Sequence, residues 1–446
     1  MSRTRRLATR VVALFLSLSA LAAGSPPGVL AASTALPPIV VYLDGLAVTF
    51  DVPPTVLGGR ALVPFRALAE ALGCAVDWDP ATGLVSAAGP SASPRTVSLW
   101  VDRTDAVVNG ESRVMDVPAR IIQGRTLVPL RFFGEALGAQ VAWDAATRAI
   151  TVVSPPRPMR VLGYYALGAA ETSSWAELFG RPFPDVGTPP ADGGAADLVS
   201  EIACGWFVLD PATGGIVLDD AYSGQKRPDN WTDVLAGCGE FDVAADMMVH
   251  WSRLVDGVAD PVIYDFLASP ELMRRAVREI VDHAAAYRGV NLDLELLGQR
   301  QTGDQSATTR QRFTAFVQSL AEALRDSERT LTLSLHPLNS WYPGYDWEAL
   351  GRLADTVVIM AYGYAPKGQP EPIGKVIEAV DLALAVVPKD KLLLGLLARY
   401  ETPESIAAKL GLAKRRGLAG IALWRLGVVE PARLTVIRSA VIRWSP

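Results

Sequence analysis

Eight short stretches in the C-terminal part of the chain either alternate apolar and polar residues or are continuously apolar, as β-strands are. Between them, apolar residues recur every three or four positions, which is the period of an amphipathic helix. The stretches lie at 160–165, 198–207, 241–249, 289–295, 331–336, 356–362, 392–397 and 420–425. Eight strand–helix units within residues 159–446 predict an α/β fold of the (β/α)8 type, a TIM barrel.

Two of the intervening helices carry clear signals. Ser269 suits an N-cap, Pro270 suits the first helical position, and the apolar residues that follow keep a helical period. A second apolar stripe runs from Phe313 to Leu324. Barrels of this type place their chemistry at the C-terminal ends of the strands, so polar residues at those ends are the candidates for function.

The fourth stretch carries a polar stripe. In a strand, Asn291, Asp293 and Glu295 lie on one face, whereas Leu292 and Leu294 lie on the other. The apolar flanks indicate a buried strand, and burying two carboxylates is costly because each loses its hydration. An exposed strand face or a structural ion pair would explain the stripe without a function. A catalytic carboxylate pair at the end of the fourth strand is the reading that we favour.

Aromatic residues stand at three other predicted strand ends, where Tyr164, Tyr362 and Trp424 occur. Such residues often pack a core or rim, but beside a carboxylate pair they indicate a sugar-binding cleft, because sugar rings stack on aromatic faces. The weaker candidates for walls of this cleft are Tyr164, Trp206, Met360 and Trp341.

Residues 38–153 contain one unit twice. Asp44-Gly45 recurs as Asn109-Gly110, 65 residues later, and Trp78-Asp79 recurs as Trp143-Asp144 at the same offset. Between them, the run R-x-L-V-P-x-R followed by E-A-L-G also occurs twice. Each unit predicts a hairpin, a short helix and a second hairpin, so this region is a small α+β repeat domain.

The repeated run resembles the N-terminal domain of copper amine oxidases, a module found in tandem in secreted bacterial proteins. The resemblance implies a stalk or a surface-attachment module, and a spacer without a ligand of its own remains the alternative. It does not imply copper, since no ligand cluster recurs in the two units. The Pro-rich residues 154–158 predict a stiff linker to the barrel.

The first 32 residues have the pattern of a secretory signal peptide. Arg3, Arg5, Arg6 and Arg10 precede an apolar segment, and small residues follow it. We therefore expect a secreted or cell-wall-associated bacterial protein. An uncleaved N-terminal membrane anchor is the alternative.

Composition narrows the choice of partner. Lys+Arg 42 against Asp+Glu 47 gives a net charge of −5 without long runs of one sign, which argues against nucleic acid and favours a neutral substrate. The three histidines show no metal-ligand spacing, so we predict no metal site and no cofactor. Cys204 and Cys238 would form a disulfide if their strands were adjacent; otherwise they are buried thiols.

The barrel region resembles the family 18 glycoside hydrolases. The strand-four signature D-G-x-D-x-D-x-E of that family stands here as 288–295, from Arg288 to Glu295, and its M-x-Y-D stands as 360–363, ending in Gly363. Its terminal-strand tryptophan corresponds to Trp424. The form of these motifs is similar to the bacterial subgroup of cell-wall and spore-germination hydrolases. Three aspartates of the family motifs are replaced here, by Arg288, Asn291 and Gly363. These replacements bear on the rate and the substrate specificity more than on the type of reaction.

The resemblance implies substrate-assisted, retaining hydrolysis of β-1,4 bonds next to N-acetylglucosamine. Glu295 would be the general acid, with a pKa raised by burial and by Asp293. Asp293 would hold the acetamido N–H, and Asn291 would orient Asp293. Tyr362 would bind the acetamido oxygen, and Trp424 would lie under the sugar.

The implied partner is an N-acetylated glycan, either peptidoglycan, including that of the spore cortex, or a chitin-like polymer. The alternatives are a non-catalytic glycan-binding protein on the same barrel and a structural surface protein in which the barrel is a spacer.

Overall fold

The computed structural model describes residues 37–89, 94–165, 171–181 and 194–444. The predicted signal peptide, residues 1–32, lies outside them. Within the described residues, the structure contains no helix with both the length and the apolar character needed to span a membrane.

The eight predicted strands form a closed parallel barrel. They are β1 (Arg157–Tyr165), β2 (Glu201–Asp210), β3 (Ala244–Trp251), β4 (Gly289–Leu294), β5 (Thr330–Leu335), β6 (Thr356–Ile359), β7 (Leu392–Leu397) and β8 (Gly420–Trp424). Successive strands pair in parallel, and the ring closes because β1 pairs with both β2 and β8. The predicted TIM barrel is confirmed.

Successive side chains of each strand point alternately out of and into the barrel, so there are two apolar layers, one outside the strands and one inside the barrel. Val290, Leu292 and Leu294 of β4 join the large core between the strands and the surrounding helices. Inside the barrel, a smaller cluster is formed by residues of six strands, among them Leu162, Tyr164 and Met248. Because β4 turns its leucines outward, Asn291 and Asp293 face the barrel interior, as the sequence predicts.

Helices surround the barrel. They are Glu171–Phe179, Trp231–Glu240, Val262–Ala268, Pro270–His283, Gly303–Asp326, Trp347–Leu353, Ile373–Leu384, Pro403–Arg416 and Pro431–Ala440. The Ser269 hydroxyl accepts a hydrogen bond from the Leu272 N–H, so the predicted cap is present. Short strands outside the barrel are Gly215–Val217, Asp219–Asp220, Gln225–Lys226, Leu254–Val255, Val258–Ala259 and Val441–Arg443.

A charged network fills the N-terminal end of the barrel. Arg288, which precedes β4, donates to Asp246 at 2.9 and 2.5 Å and to Glu201 at 2.7 Å. Arg160 of β1 donates to Glu201 at 2.8 and 2.9 Å and to Thr356 at 2.8 Å. Asp246 and Glu201 are almost fully buried. Arg288, which stands where the family signature has an aspartate, therefore lies at the end of the barrel opposite Glu295. Its guanidinium is a cationic partner for these two buried carboxylates.

The cysteines lie in the apolar layers. Cys74, Cys204 and Cys238 are buried thiols, so the disulfide that the sequence left open is absent. Burial raises the pKa of Cys238 to about 12.

The N-terminal repeats form three small sheets and two helices. Their strands are Val40–Leu43, Leu46–Ala47, Thr55–Leu57, Arg60–Pro64, Ala75–Asp79, Leu84–Ala88, Thr96–Trp100, Asp105–Val108, Glu111–Val114, Arg120–Ile122, Arg125–Pro129, Gln140–Asp144 and Ala149–Val153. The helices are Phe65–Ala71 and Leu130–Ala136. Each helix starts directly after the proline of the repeated run, Pro64 or Pro129. Gly73 and Gly138 follow the helices at φ +74° and +86°, where a side chain would be strained.

The two repeats contact each other through equivalent residues. Val63 is the register partner of Val128, 65 positions later. Arg60 forms an ion pair with Asp116 at 2.6 Å, and Arg125 forms the matching pair with Asp51. The second repeat thus completes the sheet of the first, which explains why the unit occurs twice.

Charged side chains attach the repeat domain to a barrel helix. Arg415 donates to the Leu43 and Leu46 carbonyls, and Lys414 donates to the Ser154 hydroxyl at 3.1 Å and the Pro155 carbonyl at 3.2 Å. Both cations lie on the helix Pro403–Arg416. Arg157 and Pro158, which the sequence assigns to the linker, are the first residues of β1.

Candidate active site

The carboxylates meet at the C-terminal end of β4. Asn291 and Asp293 are buried in the barrel interior, and the Glu295 side chain is 23% exposed, so it alone of the three reaches solvent appreciably. Glu295 follows the strand directly, and its N–H donates to the Trp251 carbonyl at 2.8 Å, which fixes the backbone at the edge of the barrel.

A histidine from the neighbouring strand contacts both carboxylates. His250 of β3 is the register partner of Asp293, and its Nδ1 lies 3.0 Å from Asp293 Oδ2 and 4.0 Å from Glu295 Oε1. Burial lowers the pKa of His250, but the bond to Asp293 and the nearby charges outweigh it and raise this pKa. The acid pair is thus bridged by a cationic or hydrogen-bonding ring.

A second histidine contacts Glu295 from the other side. His336 follows β5, and its Nε2 lies 3.1 Å from Glu295 Oε2. The ring stacks on Tyr342 with centroids 4.0 Å apart, and the His336 carbonyl accepts a hydrogen bond from the Trp347 indole N–H at 3.2 Å. These contacts fix the imidazole at the mouth of the site.

The two carboxyl groups have opposite pKa shifts. Burial and the Glu295 charge raise the pKa of Asp293. Burial acts on Glu295 in the same direction, but His336 and His250 outweigh it and hold the pKa of Glu295 below its ordinary value. The expectation of a raised Glu295 pKa is therefore wrong for this ligand-free form. The surroundings thus favour a proton on Asp293 over one on Glu295 in the ligand-free form.

Asn291 does not orient Asp293 here. Its side-chain oxygen accepts a hydrogen bond from Ser334 of β5 at 2.9 Å, and the Ser334 hydroxyl is 2.6 Å from that of Tyr164. Asn291 Nδ2 and Asp293 Oδ1 are both buried without a hydrogen-bond partner in the protein. Two unsatisfied polar atoms on one strand face, inside the barrel, leave a donor and an acceptor for a ligand.

The predicted aromatic residues surround the pair. Trp424, the last residue of β8, contacts Tyr164 edge to face, with centroids 5.1 Å apart. Burial and the charges of Tyr164, Asp293 and Glu295 raise the pKa of Tyr362, so its hydroxyl faces the same charges. A Cβ at Gly395 of β7 would lie 3.2 Å from the Tyr362 ring, and the glycine therefore leaves room for it.

The weaker candidates have different positions. Met360 is buried directly after β6. Trp206 is fully buried in the layer between strands and helices, edge-on to Tyr165 at 5.9 Å, so in this conformation it cannot wall the cleft. Trp341 is 87% exposed in the loop that follows β5, beside Tyr342, where an aromatic surface is available to a ligand.

The departure at Gly363 has a local explanation. This residue adopts φ +85°, which favours glycine, and its N–H donates to Glu371 at 2.9 Å. The N–H groups of Tyr364 and Ala365 donate to the same carboxylate at 2.9 and 3.0 Å. Glu371 therefore shapes the loop after β6, where the family pattern has an aspartate at position 363.

One cluster can be considered for a cation. His250, Asp293 and Glu295 each offer a donor atom, and these atoms lie within 4.8 Å of one another. However, His250 and Asp293 are already bonded to each other, and Glu295 is engaged by His336. Each of the three side chains therefore has a protein partner in the ligand-free form.

The sequence reasoning missed the two histidines. It considered only metal-ligand spacing, in which they show no pattern. Their positions at the ends of the third and fifth predicted strands were the available signal, because strand ends meet at one face of a barrel.

Residues 42–152 match the family model described as the copper amine oxidase N-terminal domain. The resemblance predicted from the repeated run is therefore confirmed.

Two curated relatives match part of the chain. The cortical fragment-lytic enzyme of Bacillus subtilis (strain 168) is 28% identical over 134 residues, which are 27% of this chain and 29% of that protein. The chain spans about a third of the length of the curated relatives that it matches.

Two solved structures resemble the chain. A class V chitinase from Pseudomonas fluorescens Pf-5 has a TM-score of 0.52 at 20% identity, covering 63% of this chain and 99% of that one. The Bacillus cereus spore cortex-lytic enzyme SleL has a TM-score of 0.51 at 15% identity, covering 65% and 76%. At these identities the likeness concerns the fold. The chain thus joins a copper amine oxidase N-terminal-like domain to a barrel with the fold of these chitinases and spore cortex-lytic enzymes.

Proposed function

We propose that this protein is an exported glycoside hydrolase that cleaves β-1,4 bonds next to N-acetylglucosamine in peptidoglycan, by substrate-assisted retaining hydrolysis. The observation that carries the proposal is the pair at the C-terminal edge of the barrel, buried Asp293 and partly exposed Glu295, with Tyr164 and Tyr362 near both carboxyls and Trp424 against Tyr164. A structural ion pair would not need a partly exposed carboxyl among aromatic side chains at the open end of a barrel.

In the proposed reaction, Glu295 gives its proton to the glycosidic oxygen as the bond from that oxygen to C1 breaks. The carbonyl oxygen of the substrate acetamido group bonds to C1 from the opposite face. Asp293 accepts the acetamido N–H and stabilises the positive charge of the cyclic intermediate. Water then bonds to C1 as the bond from C1 to the acetamido oxygen breaks, and the proton that the water loses returns to Glu295, so the acetamido group and the enzyme are both restored.

Substrate binding has to move the shared proton. The ligand-free site favours the proton on Asp293, because burial and the Glu295 charge raise the pKa of Asp293 whereas the two histidines lower that of Glu295. An acetamido N–H needs a carboxylate acceptor, and the unpaired Asp293 Oδ1 is available for it. Binding therefore favours ionised Asp293 and protonated Glu295, which is the reactive arrangement.

Two arginines support an anionic glycan over neutral chitin. Arg399 and Arg425 follow β7 and β8, whose residues Leu397 and Trp424 are register partners. Burial and the charge of Arg399 lower the pKa of Arg425, so the two cations lie near each other. Among the described residues, neither lies within ion-pair distance of a carboxylate. Peptidoglycan carries carboxylates in its lactyl groups and stem peptides, whereas chitin carries none. The fold likeness to a protein named a spore cortex-lytic enzyme agrees with this choice.

Digestion of purified peptidoglycan beside N-acetylglucosamine oligomers tests the proposal. We expect new reducing ends from peptidoglycan, and mass spectrometry should find N-acetylglucosamine at those ends. Replacing Arg399 with Gln should raise KM for peptidoglycan more than for the oligomers. Binding to peptidoglycan without any new reducing ends would instead support a non-catalytic glycan-binding protein.

The repeat domain is proposed as the part that contacts the cell wall. It has a surface cavity of about 520 Å³ whose lining includes Arg60, Asp116 and Trp143, and the Trp143 ring is partly exposed. Co-sedimentation with insoluble peptidoglycan, compared between the intact protein and a Trp143→Ala variant, tests this part. Equal sedimentation would leave the domain as a spacer.

A further inference from the structure

We propose that His336 is a positioning residue for Glu295: it holds the side chain in place as a carboxylate and strengthens Glu295 as the acid that releases the leaving sugar. This inference rests on the proposed function and adds to it a residue that the strand-four and strand-six motifs do not contain.

The contacts of His336 point to this role. Nε2 is 3.1 Å from Glu295 Oε2, an ion-pair contact that does not meet hydrogen-bond geometry in the ligand-free form, and the side chain is 13% exposed, so water competes weakly for the contact. Tyr342 covers one face of the ring at a centroid distance of 4.0 Å, and Tyr345 lies 6.2 Å away at a tilt. The imidazole therefore has little freedom to turn away from the carboxylate.

The surrounding charges are few. The groups that face the His336–Glu295 contact are Asp293, His250, Tyr342 and Tyr345, together with Tyr164 and Tyr362 from the strands across the barrel. Within the described residues, Glu295 is the carboxylate at ion-pair distance from His336. His250 is 4.0 Å from the other Glu295 oxygen and belongs mainly to Asp293. Each carboxyl thus has its own histidine.

The chemical consequence concerns the moment of bond cleavage. When the Glu295 O–H bond breaks and its proton moves to the glycosidic oxygen, a carboxylate remains. An N–H from His336 stabilises that carboxylate, because charge-assisted hydrogen bonds are stronger than neutral ones. The proton is therefore given up more easily. The bond from C1 to oxygen breaks in the same step, and water later returns a proton to Glu295.

A test follows from the leaving group. A sugar hydroxyl is a poor leaving group and needs the proton, whereas an acidic phenol leaves without much help. Removing His336 should therefore slow cleavage of a glycan and barely slow cleavage of an aryl glycoside of the same N-acetylglucosamine oligomer. A residue that only supported the fold would slow both equally.

We would compare His336→Phe, which keeps a ring against Tyr342 but lacks Nε2, with His336→Gln, which keeps an N–H donor at a similar position. His283→Gln is the matched control, since that histidine packs against Phe207 with centroids 5.9 Å apart, in the layer outside the barrel. Removing an interaction with a charged group corresponds to a fall in rate of about 10- to 100-fold. We expect that loss in kcat on the glycan for His336→Phe, less than about threefold on the aryl glycoside, and partial recovery in His336→Gln.

A second readout is the alkaline limb of the kcat profile. His336 lowers the pKa of Glu295, so its removal should raise that pKa and keep the residual activity to higher pH than in wild type. Equal losses on both substrates with an unmoved alkaline limb would overturn the inference, as would wild-type kinetics in His336→Phe. If Glu295→Gln were fully active, the proposed function itself would fail. If Glu295→Gln were inactive and His336→Phe unchanged, only the role of His336 would fail.

Discussion

Replacement of Arg288 by Met is predicted to destabilise the barrel without changing its chemistry. Arg288 occupies the position of the first aspartate in the family signature, yet its guanidinium binds Asp246 and Glu201 at the N-terminal end of the barrel. The six residues of β4 separate it from Glu295, and the seven rises between the two positions correspond to about 23 Å. Its loss should therefore be felt in folding and not in the reaction.

The magnitude follows from what the variant leaves behind. Both Asp246 oxygens accept from Arg288, whereas Glu201 keeps its two bonds from Arg160. Leaving one buried carboxylate unpaired costs about 3–5 kcal/mol. Because the Arg288 side chain is 35% exposed, the lower end, about 3 kcal/mol, is the better estimate. For a barrel of about 290 residues, that corresponds to a fall in Tm of roughly 5 °C.

The pH dependence of the loss has a definite sign. Burial raises the pKa of Asp246, and Arg288 opposes this effect. Without Arg288 the pKa rises further, and a carboxyl whose folded pKa is raised loses stability as pH increases. The deficit should therefore be largest at neutral pH and shrink as pH falls.

Urea unfolding of wild type and Arg288→Met, at neutral pH and at successively lower pH, measures the loss of stability. The double variant Arg288→Met/Asp246→Asn is the control. The double variant should recover part of the loss, because the unpaired charge is gone. A stable Arg288→Met protein with a much lower kcat would refute the assignment and return this position to the active site.

Three further predictions concern the site and its rim. Asp293→Asn should lower kcat by about 10²–10⁴-fold on N-acetylated glycans, because an amide cannot supply the negative charge that the cyclic intermediate needs; steady-state kinetics with the folded variant would measure it, and a loss below tenfold would argue against the role. Tyr362→Phe should cost about 10- to 100-fold in kcat with a folded protein, if its hydroxyl holds the acetamido oxygen, and an unchanged kcat would remove it from the mechanism. Burial raises the pKa of Glu177 from 4.5 to about 7, so the folded wild-type protein loses stability as pH rises from about 4.5 to 7. The stability of Glu177→Gln relative to wild type should therefore be greater at pH 8 than at pH 5, by about 1–2 kcal/mol. Urea titrations that show no such difference would contradict the burial of this carboxyl.

The fold was predictable because its signals are local. Alternation along β4 already separates Leu292 from Asp293, and a strand of that pattern has one possible orientation in a barrel. The helix from Pro270 could be placed from its cap alone. The repeat domain followed from the constant offset, although sequence could not show that Arg60 and Arg125 each reach across to the other repeat.

The site was predictable only in part because its electrostatics are not local. The acid pair lies on one strand and could be found there. The partners of the pair, His250 and His336, come from β3 and β5 and depend on the register between strands. The direction of the Glu295 pKa shift depends on those partners, so burial alone gave the wrong sign. Trp206, by contrast, shares the strand face of Ile202 and Cys204 in β2 and lies with them in the outer layer, so alternation along the strand places it there.

Kinetics and binding of Glu295→Gln on purified peptidoglycan test the central claim most directly. Gln keeps the size of the side chain but has no proton to give, so we expect release of reducing ends to fall by at least about 10³-fold while sedimentation with peptidoglycan is retained. Release of reducing ends at the wild-type rate by this variant would contradict the account.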